Sequence, residues 1–446
     1  MLRLRDGQAD LFDALMPAEA KVLSNELAAV DALLDDDRFL APFVARFNCP
    51  IGRPTVPIET YLRLMYLKHR HGLGYETLVK EVADSISWRR FCRLGLIDPV
   101  PHSTTLLKLT RRFGPEIVEE LNQETLKAAV ENKLLRSRRL RVDCTAMEAD
   151  VRYPTDSGLC AHAVSRIGRA VQAVKSAGLA LRTRFQNHRR TAGKVTRKIS
   201  AGLGRRGSKA TTLKHTGQLR DLAEKTLRQA RKVLRNARRK ARRGGTKRLA
   251  TVKRLATEIE RAERVVAQTT RRLQGEEVIA DRVISLCDFD ARPIRRGKPQ
   301  KPTEFGYKVA IGDTPEGFVV AQVHCGNPFD SDTLQPLLKQ AKAIGMRVRT
   351  VFADRGFGNQ AADAAIRAEA IPDQVIPRVG KAAPVEASRS WRRRYRWRAG
   401  AEGRISHLKR QHGLNRTRLK GYSGARIWAG YGVLASNLNR MVALAG

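Results

Sequence analysis

Strand-like patterning occurs in two separate blocks of this chain, and a long basic helical stretch stands between them. The first block, 139–148, begins with apolar/polar alternation and ends at Glu148. A second strand is expected over 149–153, closed by the turn signal Tyr153-Pro154-Thr155-Asp156-Ser157-Gly158. After residue 280 the pattern returns as strands over 283–287, 308–311 and 318–323, with Pro315-Glu316-Gly317 as a hairpin turn. A helix over 333–343, a strand over 347–354 ending in Asp354, and a turn through Arg355-Gly356-Phe357-Gly358 into another helix follow. This order predicts a mixed α/β sheet whose first hairpin is separated from the rest by a helical insertion.

The insertion, 161–280, holds 33 basic and 7 acidic residues, about two thirds of the chain's net charge of +41. No acid occurs between Asp156 and Asp221. Leu227, Ala230, Leu234, Ala237 and Ala241 follow a/d spacing, as do Val252, Ile259, Val266 and Leu273 with Ala262. A break at Gly244-Gly245-Thr246, with Thr246 as cap, makes this a helical hairpin, an antiparallel coiled coil. The apolar seam is a packing stripe; the cationic faces call for a polyanion. The loop 201–208 is expected to be flexible until bound.

A pI near 11.0 points to nucleic acid before any other partner. The alternatives on composition are a merely cationic protein or one bound to an anionic membrane surface. No apolar run spans a bilayer and no signal-peptide pattern opens the chain. The six cysteines, Cys49 among them, are scattered without zinc spacing and read as reduced thiols of an intracellular protein, in the cytoplasm or nucleoid.

Residues 1–135 read as helical. Ile58, Tyr61, Leu62, Met65 and Tyr66 recur at helical steps after Pro57, a helix that Gly72 and Gly74 end. A second helix fits 75–83, and a third starts near His102 with Ser103 as N-cap. Short helices with Arg89, Arg90, Lys108 and Arg111 nearby suit DNA contact, although plain helical packing leaves nearly the same signature.

The chemistry concentrates in four spaced residues: Tyr395, Arg398, Glu402 and Lys409, or Y-x2-R-x3-E-x6-K. Steps of three, four and seven place them on one face of a helix. One carboxylate among cations and an aromatic suits a phosphodiester held with a divalent cation. Asp143 and Asp354 are the acids that would complete such a site, each expected at the C-terminal end of a strand, where α/β sheets place ligands. Glu148, Asp150, Asp288, Asp290, Glu304 and Asp332 are candidates for supporting roles, and Asp156 reads as a turn former. Trp391 and Trp397 flank Tyr395; base stacking is open to them, but helix packing is the commoner fate. A last amphipathic helix, 425–444, is expected to close the sheet domain.

These residues carry a resemblance. The chain resembles DDE transposases of bacterial insertion sequences, the group marked by the Y-R-E-K signature. GRPTVPIETYLRLMYLKHRHGLGYETLVKEV is similar to that family's helical N-terminal domain, LRVDCTAMEADVRYPTDSGL to its first-aspartate region and VFADRGFGN to its second. The resemblance implies a ribonuclease-H-like mixed sheet over 136–160 and 281–446, with a helical DNA-binding domain over 1–135 and the basic coiled-coil-like insertion over 161–280. It implies Asp143, Asp354 and Glu402 as catalytic ligands of Mg2+ or Mn2+, two ions in all. Tyr395, Arg398 and Lys409 become contacts to the terminal phosphates of the element's DNA. The implied partners are double-stranded DNA, as element ends and as target, and a second copy of the chain in the active complex, with no membrane. The implied reaction is hydrolysis at the element's end, then in-line attack of the freed 3′-hydroxyl on target DNA. The insertion departs from the family's better-known pattern, standing before the third strand rather than between the second aspartate and the glutamate. The alternative reading is a nucleic-acid-binding protein or nuclease with a ribonuclease-H-like domain and no strand transfer.

Overall fold

The computed structural model describes residues 1–5, 17–47, 51–204, 207–241, 245–295 and 301–445. Cys49, Gly244 and the Arg205-Arg206 part of the 201–208 loop lie outside the described residues. The chain forms two compact units, Met1–Asp150 with Gly306–Gly446, and Val151–Phe305.

After a single helical turn at Ala18–Lys21, the first unit contains helices α1 (Asn25–Leu34), α2 (Ala41–Phe47), α3 (Ile58–Arg70), α4 (Tyr75–Asp84), α5 (Ile86–Phe91) and α6 (Ser103–Glu131). Helix α3 starts directly after Pro57 and ends before Gly72, whose φ of +64° a side chain would resist. It is buried from Ile58 to His69. Its interior Arg63 is neutralised by Asp31 at 2.7 Å and Asp35 at 2.6 Å on and beside α1. The expected cap of α6 shifts by one residue. His102 is the N-cap, its ring nitrogen accepting from the Thr104 N–H, and Ser103 is already helical. The long strand β1 (Arg139–Ala149) follows. The hairpin expected at 149–153 does not form. The partner of β1 is instead β3, which arrives only after the insertion; Ala149 still belongs to β1, opposite Thr417, and among the described residues 150–153 join no ladder.

The second unit contains α7 (Asp156–Ser176), α8 (Arg189–Gly202), α9 (Ser208–Ala241), α10 (Thr246–Leu273) and the short strand β2 (Arg292–Arg295). The predicted hairpin is α9 and α10, and the a/d alanines and leucines of α9 are buried. Helices α7 and α8 pack onto the same seam, so the insertion is a four-helix assembly rather than a bare coiled coil. Gly245 occupies the cap position of α10; Thr246 is its first helical residue. Asp156 is not in a turn but in the first turn of α7, which Thr155 caps, and it pairs with Arg282 at 2.7 Å. The strand expected at 283–287 is irregular chain. Gln268 on α10 takes both backbone groups of Val283, at 2.9 and 3.0 Å, and Val283 and Leu286 fill the helical core. Its alternating apolar residues serve helix packing instead of a ladder.

The first unit resumes within β3 (Thr303–Asp313), at Gly306, and continues with β4 (Val319–His324), α11 (Leu334–Ala343), β5 (Thr350–Ala353), α12 (Gln360–Ala368) and β6 (Asp373–Val375). Then come α13 (Arg389–Tyr395), α14 (Gly400–Gln411), β7 (Arg416–Thr417) and α15 (Gly421–Ala445). Strand β3 runs antiparallel to both β1 and β4, whereas β5 and β7 run parallel to β1 and β6 runs parallel to β5. The β3–β4 hairpin turns at Gly317, with φ +93°. The fold class is therefore mixed α/β, as expected. Helix α15 is buried along most of its length because α6, α3 and β4 all pack against it, so it is a core helix rather than an amphipathic cover. Among the described residues, no helix is long and apolar enough to cross a membrane.

Candidate active site

Strand register brings the first two acids together. Asp143 lies in the middle of β1, not at its C-terminal end as expected, because β1 continues to Ala149. Its parallel neighbour β5 is short. Val142 stands opposite Ala353, the last residue of β5, so one step further in that register sets Asp143 beside Asp354. Asp354 caps the turn that follows, its Oδ1 accepting the Gly356 N–H at 2.9 Å. A Cβ built on Gly356 would stand 3.1 Å from Asp354 Oδ1 and 3.2 Å from Asp330 Oδ2. A second carboxylate, Asp330, is thus held against the same turn, paired with Lys308 of β3 at 2.7 Å. Sequence reasoning missed Asp330 and singled out Asp332 nearby. Only the folded turn distinguishes them.

The segment bearing the four spaced residues is not one continuous helix. Helix α13 ends at Tyr395, a 3-10 turn spans Arg396–Ala399, and α14 begins at Gly400. Arg398 therefore sits in the tight turn, and only Glu402 and Lys409 share the face of one α-helix. The turn is pinned from β1. Arg141, two residues before Asp143, forms a bidentate pair with Asp313 at 2.7 Å for each contact. Its remaining Nη1 donates to the Trp397 carbonyl at 3.0 Å, and its guanidinium lies 4.8 Å from the Trp397 ring. A Cβ on Gly400 would fall 2.1 Å from Arg141 Nη1, so glycine is what lets this anchor pass.

So positioned, Arg398 reaches all three predicted acids. Its Nη2 donates to Asp143 Oδ2 at 2.9 Å and lies 3.6 Å from Asp354 Oδ2. Its Nη1 lies 3.7 Å from Glu402 Oε1. Asp143 is 13% exposed, Asp354 34% and Glu402 77%, so the glutamate forms the solvent-facing wall. Burial raises the carboxyl of Asp354 above its ordinary range, Arg398 opposes that, and the neighbouring charge of Asp330 adds to it. Carboxylates repelling one another around a shared cation are a donor set suited to a hard divalent ion. With the side chains as they stand, and among the described residues, no three acidic, histidine or cysteine groups converge closely enough to hold a metal. The guanidinium stands between them instead.

The other predicted residues distribute differently. Tyr395 is half-buried and stacked on Trp391, ring centroids 5.0 Å apart, and burial raises its hydroxyl pKa. Trp391 is buried, and Trp397 meets Phe352 edge-on at 4.8 Å, so both tryptophans are packing residues. Lys409 lies seven residues beyond Glu402, about 10 Å along α14. Glu148 pairs with Arg416 at 3.0 Å. Asp288, Asp290 and Glu304 belong to the second unit.

Comparison with known proteins bears on both ends of the chain. Residues 16–112 match the family described as Transposase domain (DUF772), and residues 281–438 match the Transposase DDE domain. An uncharacterized protein, ORF8 in the nfe locus of Rhizobium meliloti, is 30% identical over 145 residues, covering 31% of this chain and 68% of that protein. No solved structure matches. Asp354, Arg398 and Glu402 fall inside the second matched stretch. Asp143 lies outside both, and it is joined to them by the β1–β5 register.

Proposed function

The chain belongs to the DDE transposases of insertion-sequence type, and from that premise we propose that Asp143, Asp354 and Glu402 are its catalytic acids. It is a DNA transposase, an enzyme of metal-dependent DNA cleavage and transfer. The observation that carries the assignment is the single guanidinium of Arg398 within 2.9–3.7 Å of all three carboxylates. A basic group so placed marks where positive charge is needed.

The sheet around β1 is read as ribonuclease-H-like, with the acids at its centre and on the flanking α14. The three carboxylates would hold two Mg2+ or Mn2+ ions. Such ions, when bound, neutralise the phosphodiester and make water or a 3′-hydroxyl a better nucleophile. The protein's own side chains supply the rest. Arg398 stands between Asp143 and Asp354 and opposes the upward push that burial and Asp330 give the Asp354 carboxyl. A DNA phosphate would be bound by the same guanidinium in the forked geometry that carboxylates also accept, which would leave Asp143, Asp354 and Glu402 free to hold the cations. Tyr395 and Lys409 extend that grip along the strand, and Lys308 holds Asp330 as a neighbouring acid that sharpens the demand for cations. The helices of 1–135 are assigned to binding the element's ends, and the active complex to two copies of the chain.

The test uses a plasmid carrying the inverted repeats that flank the gene. Asp143→Asn, Asp354→Asn and Glu402→Gln should each abolish end cleavage and joining while end binding persists. Cleavage at wild-type rate in any of them would remove that residue from the assignment. Cleaved ends that never join to target would return the chain to the nuclease reading.

A further inference from the structure

The charges of the second unit are segregated along its helices. Arg231 of α9 meets Glu263 of α10 at 2.6 Å, which fixes the antiparallel level of the two helices. Glu258, one turn nearer their connection, is turned inward to Arg166 of α7, in a pair of which Glu258 is only 6% exposed. Beyond that level the neutralising residues stop. Between Glu224 and Glu258 the sequence contains no Asp or Glu. Arg235, Arg238, Arg239, Lys247, Arg248 and Arg254 are all exposed there, and among the described residues none of them is in an ion pair.

A second segment adds to the same end. Asn236 donates to Thr183 at 2.9 Å, and the Gln186 N–H donates to Gln229 at 2.7 Å. These bonds lay the loop before α8 against the last turns of α9, bringing exposed Arg182 and Arg184 to it. Lys247 and Arg248 occupy the first turn of α10, where the helix dipole favours acids and disfavours cations. Arg235 and Arg239 are four residues apart on one face, a repelling pair. An ordinary solvated surface intersperses both signs. The buried alanine and leucine seam holds this end folded against its own repulsion. What the charges lack is an anion.

We propose that this end of the helical unit is a sequence-independent binding surface for the phosphate backbone of duplex DNA. The inference rests on the transposase assignment only for the choice of DNA as the polyanion. Exposed Arg and Lys with no exposed aromatic side chain among them, Phe185 being packed against the helical core, contact phosphate and do not read bases. The surface therefore contributes affinity and salt dependence, and the sequence preference comes from elsewhere.

The test uses the full chain carrying Asp354→Asn, which prevents cleavage during measurement, with and without Arg238→Gln, Arg239→Gln, Lys247→Gln and Arg248→Gln together. Fluorescence anisotropy follows binding to a 30-base-pair random duplex and to a duplex of the flanking inverted repeat between about 50 and 200 mM salt. Four lost phosphate contacts should flatten the slope of log K against log salt by about 3–4, equally on both duplexes. Circular dichroism should be unchanged, since the four side chains are exposed. Unchanged slope and affinity would overturn the proposal. So would an equal loss from glutamine at Lys339, Arg347, Arg349 and Arg367 of the other unit, which would make the effect one of net charge, or a loss confined to the inverted repeat. Failure of the wild-type chain to join ends to target would instead remove the transposase assignment and leave this binding result standing.

Discussion

Replacing Arg398 by leucine isolates the role of the shared guanidinium. In the metal-free protein the three attractions are unequal. Coulomb energy falls as 1/r, so the 2.9 Å contact to Asp143 exceeds each of those at 3.6 and 3.7 Å by about a quarter. Exposure widens the gap. Glu402, 77% exposed, and Asp354, 34% exposed, are screened by water to well under about 1 kcal/mol each. Asp143, at 13%, keeps most of its share. Stranding one partner of a buried pair costs about 3–5 kcal/mol, and the partial access of Asp143 to solvent lowers this to about 2–3 kcal/mol. A divalent cation should then restore what the guanidinium supplied. With ligand at 100 times Kd the recovery is about 2.7 kcal/mol. Urea unfolding with and without Mg2+ reads both quantities. Arg398→Leu should be less stable than wild type without metal and gain more than wild type from Mg2+, because no guanidinium competes for the carboxylates. Equal Mg2+ stabilisation of the two proteins would refute the idea that arginine and metal share one place.

Two further predictions concern how the site is held. Gly400→Ala places a methyl group onto Arg141; overpacking should destabilise by about 1–3 kcal/mol, against about 1 kcal/mol of helix propensity gained, and cleavage should fall more than DNA affinity. Unchanged cleavage would mean that the Arg141 anchor does not position Arg398. Lys68 of α3 is buried over the Trp428 ring at 4.0 Å, and burial lowers its pKa to about 7. Because the unfolded lysine binds its proton up to about pH 10.4, the unfolded state holds more protons above pH 7, and this residue makes stability rise with pH from about 7 upward. The difference in stability between wild type and Lys68→Met should therefore shift in favour of wild type between pH 6.5 and 8. A pH-independent difference would show that Lys68 stays charged in the folded protein.

The signature residues were legible because an acid, two bases and a tyrosine at steps of three, four and seven stand out from an ordinary helix face, whatever the backbone does between them. The sequence did not reveal that the spacing crosses a 3-10 turn. Helical steps of three and four look alike in both forms, and the turn is set by Arg141, more than 250 positions away. The strand ends were misplaced for a related reason. Alternation marks 139–148 as β, but the length of β1 depends on β3, whose pairing is non-local. The strand expected at 283–287 carried the right residues for β and lost its backbone groups to Gln268. Asp330 gave no signal at all, since a lone aspartate before a helix is ordinarily a cap. The basic hairpin was visible from its seam; α7 carries an equally regular stripe through Leu159, Ala163, Ile167, Ala170 and Val174 that reading the insertion as a bare hairpin passed over, and α8 buries only Ala192 and Ile199.

The central claim is that Asp143, Asp354 and Glu402 act together on divalent cations, and Mn2+ titration followed by electron paramagnetic resonance tests it without relying on turnover. With flanking-repeat DNA bound, wild type should take up Mn2+ at the site, and Asp143→Asn, Asp354→Asn and Glu402→Gln should each weaken that uptake by at least about tenfold, about 1.4 kcal/mol. Wild-type Mn2+ affinity in any one of the three variants would contradict the account.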